Sequence, residues 1–325
     1  MRVVFYTNNI SPHQLPLARE VMRRVGRENL LYVGERIAWR GKTIDAGEVR
    51  ICAVGDLCAQ DWLENADVMY TGGLRPIELM ERRAKRGLKT LYYSERWFKP
   101  LGNVRLFGLF GCSIPGWARL LAPRYRQLAK RFAKLANENA CVTFLPTGPW
   151  TKRDFLTIGV KNEKMADWGY FVSPSASKIP RKARKAEALS VLWVGREIGL
   201  KRVGDIEKAV ASVARRSAVT FTKLTGGTLD EVREAMRHHD LYVLASDANE
   251  GWGAALNEAL EEGMSAVGTF EAGSSAAMLP RERLYHAGDW KSLARLIERE
   301  LRGELPPCSI GDWTAAKAAE RLLAI

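Results

Sequence analysis

The stretch Leu241-Tyr242-Val243-Leu244-Ala245-Ser246-Asp247-Ala248-Asn249-Glu250-Gly251-Trp252-Gly253-Ala254-Ala255-Leu256-Asn257-Glu258-Ala259-Leu260-Glu261-Glu262-Gly263 decides how the chain is read. Its first four residues are a short apolar run of the kind that forms a buried strand. A polar loop follows and turns through Gly251 and Gly253 on either side of Trp252. Ala/Leu/Glu-rich sequence of high helix propensity then runs to Gly263. Glu250 falls on the loop, and Glu258 in the second turn of the expected helix. Glycines let a ligand approach the backbone closely, and the first N–H groups of a helix have no partners inside it. Loop and helix start therefore make a place for an anion. At ~1.5 Å per residue, Glu258 lies about 6 Å beyond Ala254, a step from a diphosphate to its ribose.

Working outward, strands and helices alternate on both sides. Upstream, an apolar strand over 191–194 leads into Gly195-Arg196-Glu197-Ile198-Gly199-Leu200-Lys201, and a helix covers about 204–215. A strand over 219–224 ends at Thr225-Gly226-Gly227. Thr228 with Glu231 three residues on forms a capping box for a helix that closes at His238-His239. Downstream come a strand over 266–270, a Gly/Ser turn at Gly273-Ser274-Ser275, and helices over 290–302 and 313–323. The amino-terminal half repeats the pattern, with strands over 3–7, 30–33, 67–71, 90–94 and 140–145, and helices over 15–27, 76–86 and 151–158. This predicts an α/β fold of two Rossmann-like, doubly wound domains facing a central cleft. Their expected bounds are 1–172 and 189–325, the second with a closing helix. The linker is 173–188, which holds two prolines and the basic run Arg181-Lys182-Ala183-Arg184-Lys185.

In an open parallel sheet, ligands bind beyond the carboxyl ends of the strands. Arg196 with Lys201, Thr225 with Gly226, the loop from Glu250 to Gly253, and the 273–275 turn all leave such ends. Arg196 supplies a planar fork for phosphate and Lys201 a point charge. Glu258 can accept from two adjacent ribose hydroxyls, while Glu250 faces the end where a sugar belongs. In the first domain His13 and Glu95 both follow strands, which makes them acceptor-side candidates. A histidine bonded to backbone and a local Glu95–Arg96 ion pair are the plainer readings of those two.

The pair Glu250 and Glu258 resembles the E-x7-E motif of GT-B-fold glycosyltransferases, in particular the retaining, nucleotide-sugar-dependent family 4. Val191-Leu192-Trp193-Val194-Gly195-Arg196 with Lys201 is similar to the start of that family's donor domain. Asp240-Leu241-Tyr242-Val243-Leu244-Ala245-Ser246 is similar to its strand before the motif. His286-Ala287-Gly288-Asp289 resembles its late Gly-Asp turn, and Asp312-Trp313-Thr314-Ala315-Ala316 its closing helix, which packs back toward the first domain. The resemblance covers about 189–325; the first half matches in architecture only. It departs at 8–14, which lacks a glycine pair, and at 273–275, which lacks a second glycine and a following glutamate.

The resemblance implies transfer of a sugar, with retention of configuration, from a nucleotide-diphosphate sugar to a hydroxyl of a glycan or glycolipid. It implies diphosphate contacts for Arg196 and Lys201, and sugar contacts for Glu250 and the amides of Gly251, Trp252 and Gly253. It implies a ribose contact for Glu258. The nucleotide sugar is a substrate, so no cofactor is expected.

The 325 residues suit two domains, and 46% hydrophobic with 27% charged is globular composition. The five cysteines include no CxxC pair and no His/Cys set at metal-ligand spacing, so no metal is expected and the thiols are read as reduced and mostly buried. No run reaches the roughly 20 apolar residues of a membrane span, and the amino terminus reads as a strand rather than a signal peptide, which predicts a cytoplasmic protein.

The formal charge of +13 admits nucleic acid, anionic membrane or phosphorylated substrates as partners. Nucleic acid is set aside, because no zinc finger, RNP-like aromatic motif or basic helix–turn–helix accompanies the charge. Residues 96–137 hold nine Lys/Arg and no acid. An aromatic run (Trp97, Phe98, Leu106, Phe107, Leu109, Phe110, Ile114, Trp117) precedes a helix over 124–139. Leu121, Tyr125, Leu128, Phe132 and Leu135 form its apolar face, with Arg126, Lys130 and Lys134 on or toward the other side. Either this is a core helix with a solvated back, or 97–135 is an interfacial segment on anionic membrane at the inner face. A catalytically silent module that binds sugar nucleotide or membrane is the alternative to an enzyme.

Overall fold

The computed structural model describes residues 1–37, 45–73, 76–100, 103–106, 110–113, 115–175 and 188–325. Phe107, Leu109, Ile114 and linker residues 176–187 lie outside them. The chain divides into two compact units, Met1–Ser173 with Thr314–Ile325, and Pro174–Trp313.

The first unit runs β1 (Val3–Asn9), α1 (Leu15–Val25), β2 (Leu30–Arg36), β3 (Ile51–Ala53), α2 (Leu57–Asn65), β4 (Val68–Gly72), α3 (Ile77–Lys85) and β5 (Lys89–Ser94). A hairpin, β6 (Asn103–Leu106) and β7 (Phe110–Ser113), then precedes α4 (Pro123–Glu138), β8 (Val142–Pro146) and α5 (Pro149–Thr157). Six parallel strands lie in the order β3-β2-β1-β4-β5-β8. The order reverses between β1 and β4, the position where such sheets bind ligands. One face packs Val4, Leu31, Val33, Met69, Tyr92 and Phe144 under helices. Phe5, Tyr32 and Tyr70 form an aromatic row, with the Phe5 ring 5.6 Å and 4.7 Å from the other two.

The second unit runs β9 (Ala188–Val194), α6 (Val203–Ala214), β10 (Ala218–Leu224), α7 (Leu229–His238), β11 (Leu241–Leu244), α8 (Ala255–Glu261), β12 (Ser265–Thr269), α9 (Gly273–Met278), β13 (Leu284–Tyr285) and α10 (Trp290–Leu301). Its parallel sheet has the order β10-β9-β11-β12-β13, so the order reverses between β9 and β11. Period-two alternation accounts for burial on both faces. Val191, Trp193, Leu241 and Val243 pack with α6 and α10, whereas Leu192, Tyr242 and Leu244 pack with α7 and α8. The Thr228–Glu231 capping box forms as expected.

Several expectations need correction. Gly273 opens α9 rather than a turn, and Ser274 and Ser275 are buried. The last helix, α11 (Ala315–Ala324), clusters with the first unit, the side toward which the resemblance has the closing helix pack. There Arg24 donates to Ala316 O at 3.1 Å, and Thr314 bridges to Val172. Of Cys52, Cys58, Cys141 and Cys308, Cys52 alone is buried, and Cys58 is exposed, because α2 turns it outward. The apolar face expected of α4 is split. Phe132 and Leu135 enter the core, but Leu121 and Tyr125 are 75% and 42% exposed. Helix α4 meets the sheet only with its second half. No helix among the described residues is long and apolar enough to cross a membrane.

Candidate active site

The second unit's strand ends carry the chemistry read from the sequence. Leaving β9, Gly195 donates to Leu224 O at 3.0 Å, which ties this loop to the end of the edge strand β10. Arg196 is exposed on that loop and makes no side-chain ion pair among the described residues. The chain then coils through a single turn, Gly199–Lys201, and Asp247 N donates to Leu200 O at 2.8 Å. That bond joins the loops after β9 and β11 across the reversal in strand order. Thr225 and Gly226, at the end of β10, are exposed on the same edge.

Glu250 is fixed from one side. Its Oε2 accepts from Lys201 Nζ and from Ser246 Oγ, the latter at 2.9 Å. Ser246 is itself fully buried, with its carbonyl accepting from Thr269 Oγ1 at 2.5 Å. The Asp247 side chain accepts from Asn249 N at 2.8 Å, which tightens the approach to Glu250. One carboxylate oxygen is thus immobilised by a cation and a hydroxyl. The other, Oε1, makes no hydrogen bond among the described residues and is presented at the strand edge. Sequence reading missed Ser246 as the positioning hydroxyl, although it stands next to the strand end.

The glycine turn is held rigidly. Gly253 has φ +94°, a left-handed conformation, and an added Cβ would meet Leu244 Cδ2 at 2.8 Å. Ser274 donates to the carbonyls of Trp252 and Gly253, at 3.0 Å from its N–H and 3.1 Å from its Oγ. Trp252 is buried rather than stacked on a ligand: its Nε1 donates to Asn257 Oδ1 at 2.7 Å and its ring lies 5.2 Å from Trp313. With the carbonyls occupied, the N–H groups of Gly251, Trp252 and Gly253 donate no hydrogen bond among the described residues. Helix α8 has only seven residues, ends before Gly263, and carries Glu258 in its first turn rather than its second. A helix this short supplies little dipole, which leaves the local amides, Arg196 and Lys201 as the groups that could attract an anion.

Glu258 is half-buried, and its carboxylate makes no hydrogen bond or ion pair among the described residues. Burial pushes its pKa up to about 7, and only the more distant Arg233 opposes that. A carboxyl group so placed gains most from hydroxyl donors that a ligand brings.

His13 and Glu95 meet in the first unit through a residue the sequence did not flag. Tyr170 donates to Glu95 Oε1 at 2.6 Å, and its ring stacks on His13 at 5.6 Å. Lys99 donates to Glu95 Oε2 at 3.0 Å, so the expected Glu95–Arg96 pair is replaced by Glu95–Lys99. Arg96 instead sits beside Asp154 and over the Trp150 ring. Nothing local marks Tyr170, which the fold brings in from 75 residues away.

No family model matches the sequence, and no curated protein matches it. Solved structures do match over its whole length. The lipopolysaccharide outer core galactosyltransferase WaaB, in its apo form, aligns at a TM-score of 0.66 and 14% identity, over 99% of this chain and 98% of that one. Anabaena Alr3699/HepE in complex with UDP aligns at 0.60 and 13%, over 100% and 97%. The UDP-forming α,α-trehalose-phosphate synthase from Burkholderia xenovorans, in complex with glucose-6-phosphate, aligns at 0.58 and 10%, over 99% and 95%. The fold is GT-B. The loops after β9 and β11 belong to the second unit, and Glu95 and His13 to the first.

Proposed function

We propose that the protein is a glycosyltransferase that moves a sugar from a nucleoside diphosphate sugar to an acceptor hydroxyl. Uridine diphosphate is the leaving group this reading favours, because HepE of the same fold was solved with UDP and with UDP-glucose. The observation that carries the proposal is the pair of carboxylates after β11. Glu250 is locked through one oxygen to Lys201 and Ser246, and half-buried Glu258 has no side-chain partner among the described residues.

Glu258 takes the ribose hydroxyls, and the N–H groups of residues 251–253 with Arg196 take the diphosphate. Thr225 and Gly226 border the nucleotide side. Glu250 receives hydroxyls of the transferred sugar, while Lys201 holds it in place and adds positive charge. In the reaction the bond from the sugar's anomeric carbon to phosphate oxygen breaks, its electron pair leaving with the diphosphate. The acceptor oxygen forms the new bond as it gives up its proton. Preorganised cations and amides stabilise the charge that develops on the leaving group, which makes the reaction metal-independent in this reading. Retention of configuration follows the family 4 resemblance.

An acceptor at a membrane fits the first unit. Trp117, Leu121 and Tyr125 are exposed beside Arg124, Arg126 and Lys130, and the acid-free stretch continues around them. This supports contact with anionic lipid and a place in making a cell-envelope glycan.

The test is Glu250→Ala assayed for transfer and for hydrolysis of UDP-sugars. Turnover should fall about 100-fold or more, with melting temperature and UDP affinity kept. Unchanged turnover would remove Glu250 from catalysis. A wild-type protein that binds UDP-sugars without turning any over would establish the silent-module reading instead.

A further inference from the structure

At the carboxyl edge of the first sheet lies a cavity of about 400 Å³, lined from the ends of β1, β4 and β5, the segment after β5, and the outer half of α4. We infer that this cavity binds the acceptor and selects a saccharide carried on a lipid phosphate. The inference rests on the transferase reading above and adds the substrate class.

Three kinds of surface meet there. The first is polar: Glu95 and Tyr170 are on the wall, joined by their 2.6 Å hydrogen bond. Burial works against the charge on Glu95, but Lys99, Tyr170 and His13 outweigh it and hold the carboxyl below its usual range. An ionised carboxylate with lone pairs to spare accepts sugar hydroxyls. Trp97 and Phe98 stand beside it as apolar faces for a pyranose ring. Trp97 is held by its Nε1 bond to Ser94 Oγ at 3.0 Å and by edge contacts to Phe132 and Phe155.

The second surface is cationic. Arg96 has Asp154 beside it and Lys99 has Glu95. Arg119 also lines the cavity; its Nη1 donates to Trp97 O at 2.9 Å, and it forms no ion pair with a carboxylate among the described residues. Its remaining donors suit a phosphate better than a neutral sugar.

The third is apolar. Tyr125 and Leu128 close the outer wall, and Tyr125 continues onto exposed Leu121 and Trp117. A free oligosaccharide would leave that ledge wet, whereas a lipid chain leaving a phosphate at Arg119 would cover it. Carboxylate and rings, cation and apolar ledge correspond in turn to sugar, phosphate and lipid.

Calorimetric titration of the full chain with three probes separates these parts: farnesyl-phosphate-linked glucose, glucose 1-phosphate and octyl glucoside. The first should bind about tenfold or more tightly than either of the others. Arg119→Ala should bring farnesyl-phosphate-linked glucose down to the affinity of octyl glucoside, and Glu95→Gln should weaken all three about tenfold. UDP affinity should stay unchanged in both variants. Equal binding of octyl glucoside and farnesyl-phosphate-linked glucose, or wild-type affinities in Arg119→Ala, would overturn the assignment. Arg119→Ala is an independent variant at a half-buried side chain, so it stays informative if Glu95→Gln folds poorly. Loss of UDP binding by the wild-type protein would strike the transferase reading instead, and the saccharide titrations would still report on the cavity.

Discussion

Glu258 is the residue whose environment makes the sharpest demand. Its carboxyl is raised by burial from 4.5 to about 7, and no hydrogen bond rewards ionisation in the free protein. Between those values the native state holds a proton that the unfolded chain has released. Stability from this group is therefore present at pH 4 and is lost as pH rises through about 7. Glu258→Gln should accordingly raise the melting temperature at pH 8 and change it little at pH 5. Ribose hydroxyls need the ionised form, so UDP affinity should rise more steeply between pH 6 and 8 in the wild type than in the variant, where only the terminal phosphate of UDP titrates. Parallel pH profiles of the two proteins would show that Glu258 does not meet the nucleotide. Arg83 poses the opposite problem. It is fully buried and donates to Leu63 O, Ala66 O and Lys89 O at 2.9, 2.7 and 3.1 Å, which closes the end of α2. Arg83→Met should cost about 3 kcal/mol or more in urea unfolding, because it strands several buried carbonyls. A cost under ~1 kcal/mol would mean that water replaces the guanidinium.

Among the elements, the loop between β11 and α8 and the helix α4 behave oppositely. The loop was legible in sequence because strand, glycine turn and both glutamates are contiguous, and local backbone rules suffice to place them. Gly253→Ala should destabilise by about 1–2 kcal/mol through its left-handed φ alone, and the contact with Leu244 adds to that. UDP affinity should fall with it, since the amides would move; a variant with native stability and affinity would contradict the described turn. Helix α4 was legible as amphipathic, yet its pattern cannot say where along the helix the sheet stops. Phe132 is buried and Tyr125, two turns earlier on the same face, is exposed. Leu121→Ser with Trp117→Ser should leave the melting temperature within about 1 °C and lower sedimentation with anionic vesicles. A large loss of stability would instead mark the ledge as part of the core.

For the whole molecule, the alternation of strands and helices carried the α/β class and the two-sheet organisation. What it could not carry was assembly across long sequence distances. Glu95 and His13 come together because parallel strands return every carboxyl end to one edge, and Tyr170 reaches them from the irregular segment after α5, where no neighbouring residue announces its partners. The burial of Arg83 in a basic helix arises in the same way, from packing decided far along the chain. The candidate edge of the second unit was readable because its candidate groups lie on successive loops of one sheet. The central claim is that this edge binds a nucleoside diphosphate through Arg196 and Glu258. Calorimetric titration of the full chain with UDP at pH 8 tests it most directly. The account predicts one site per chain, weakened about tenfold or more by Arg196→Ala and by Glu258→Gln separately. UDP binding that is undetectable in the wild type, or equally tight in both variants, would contradict it.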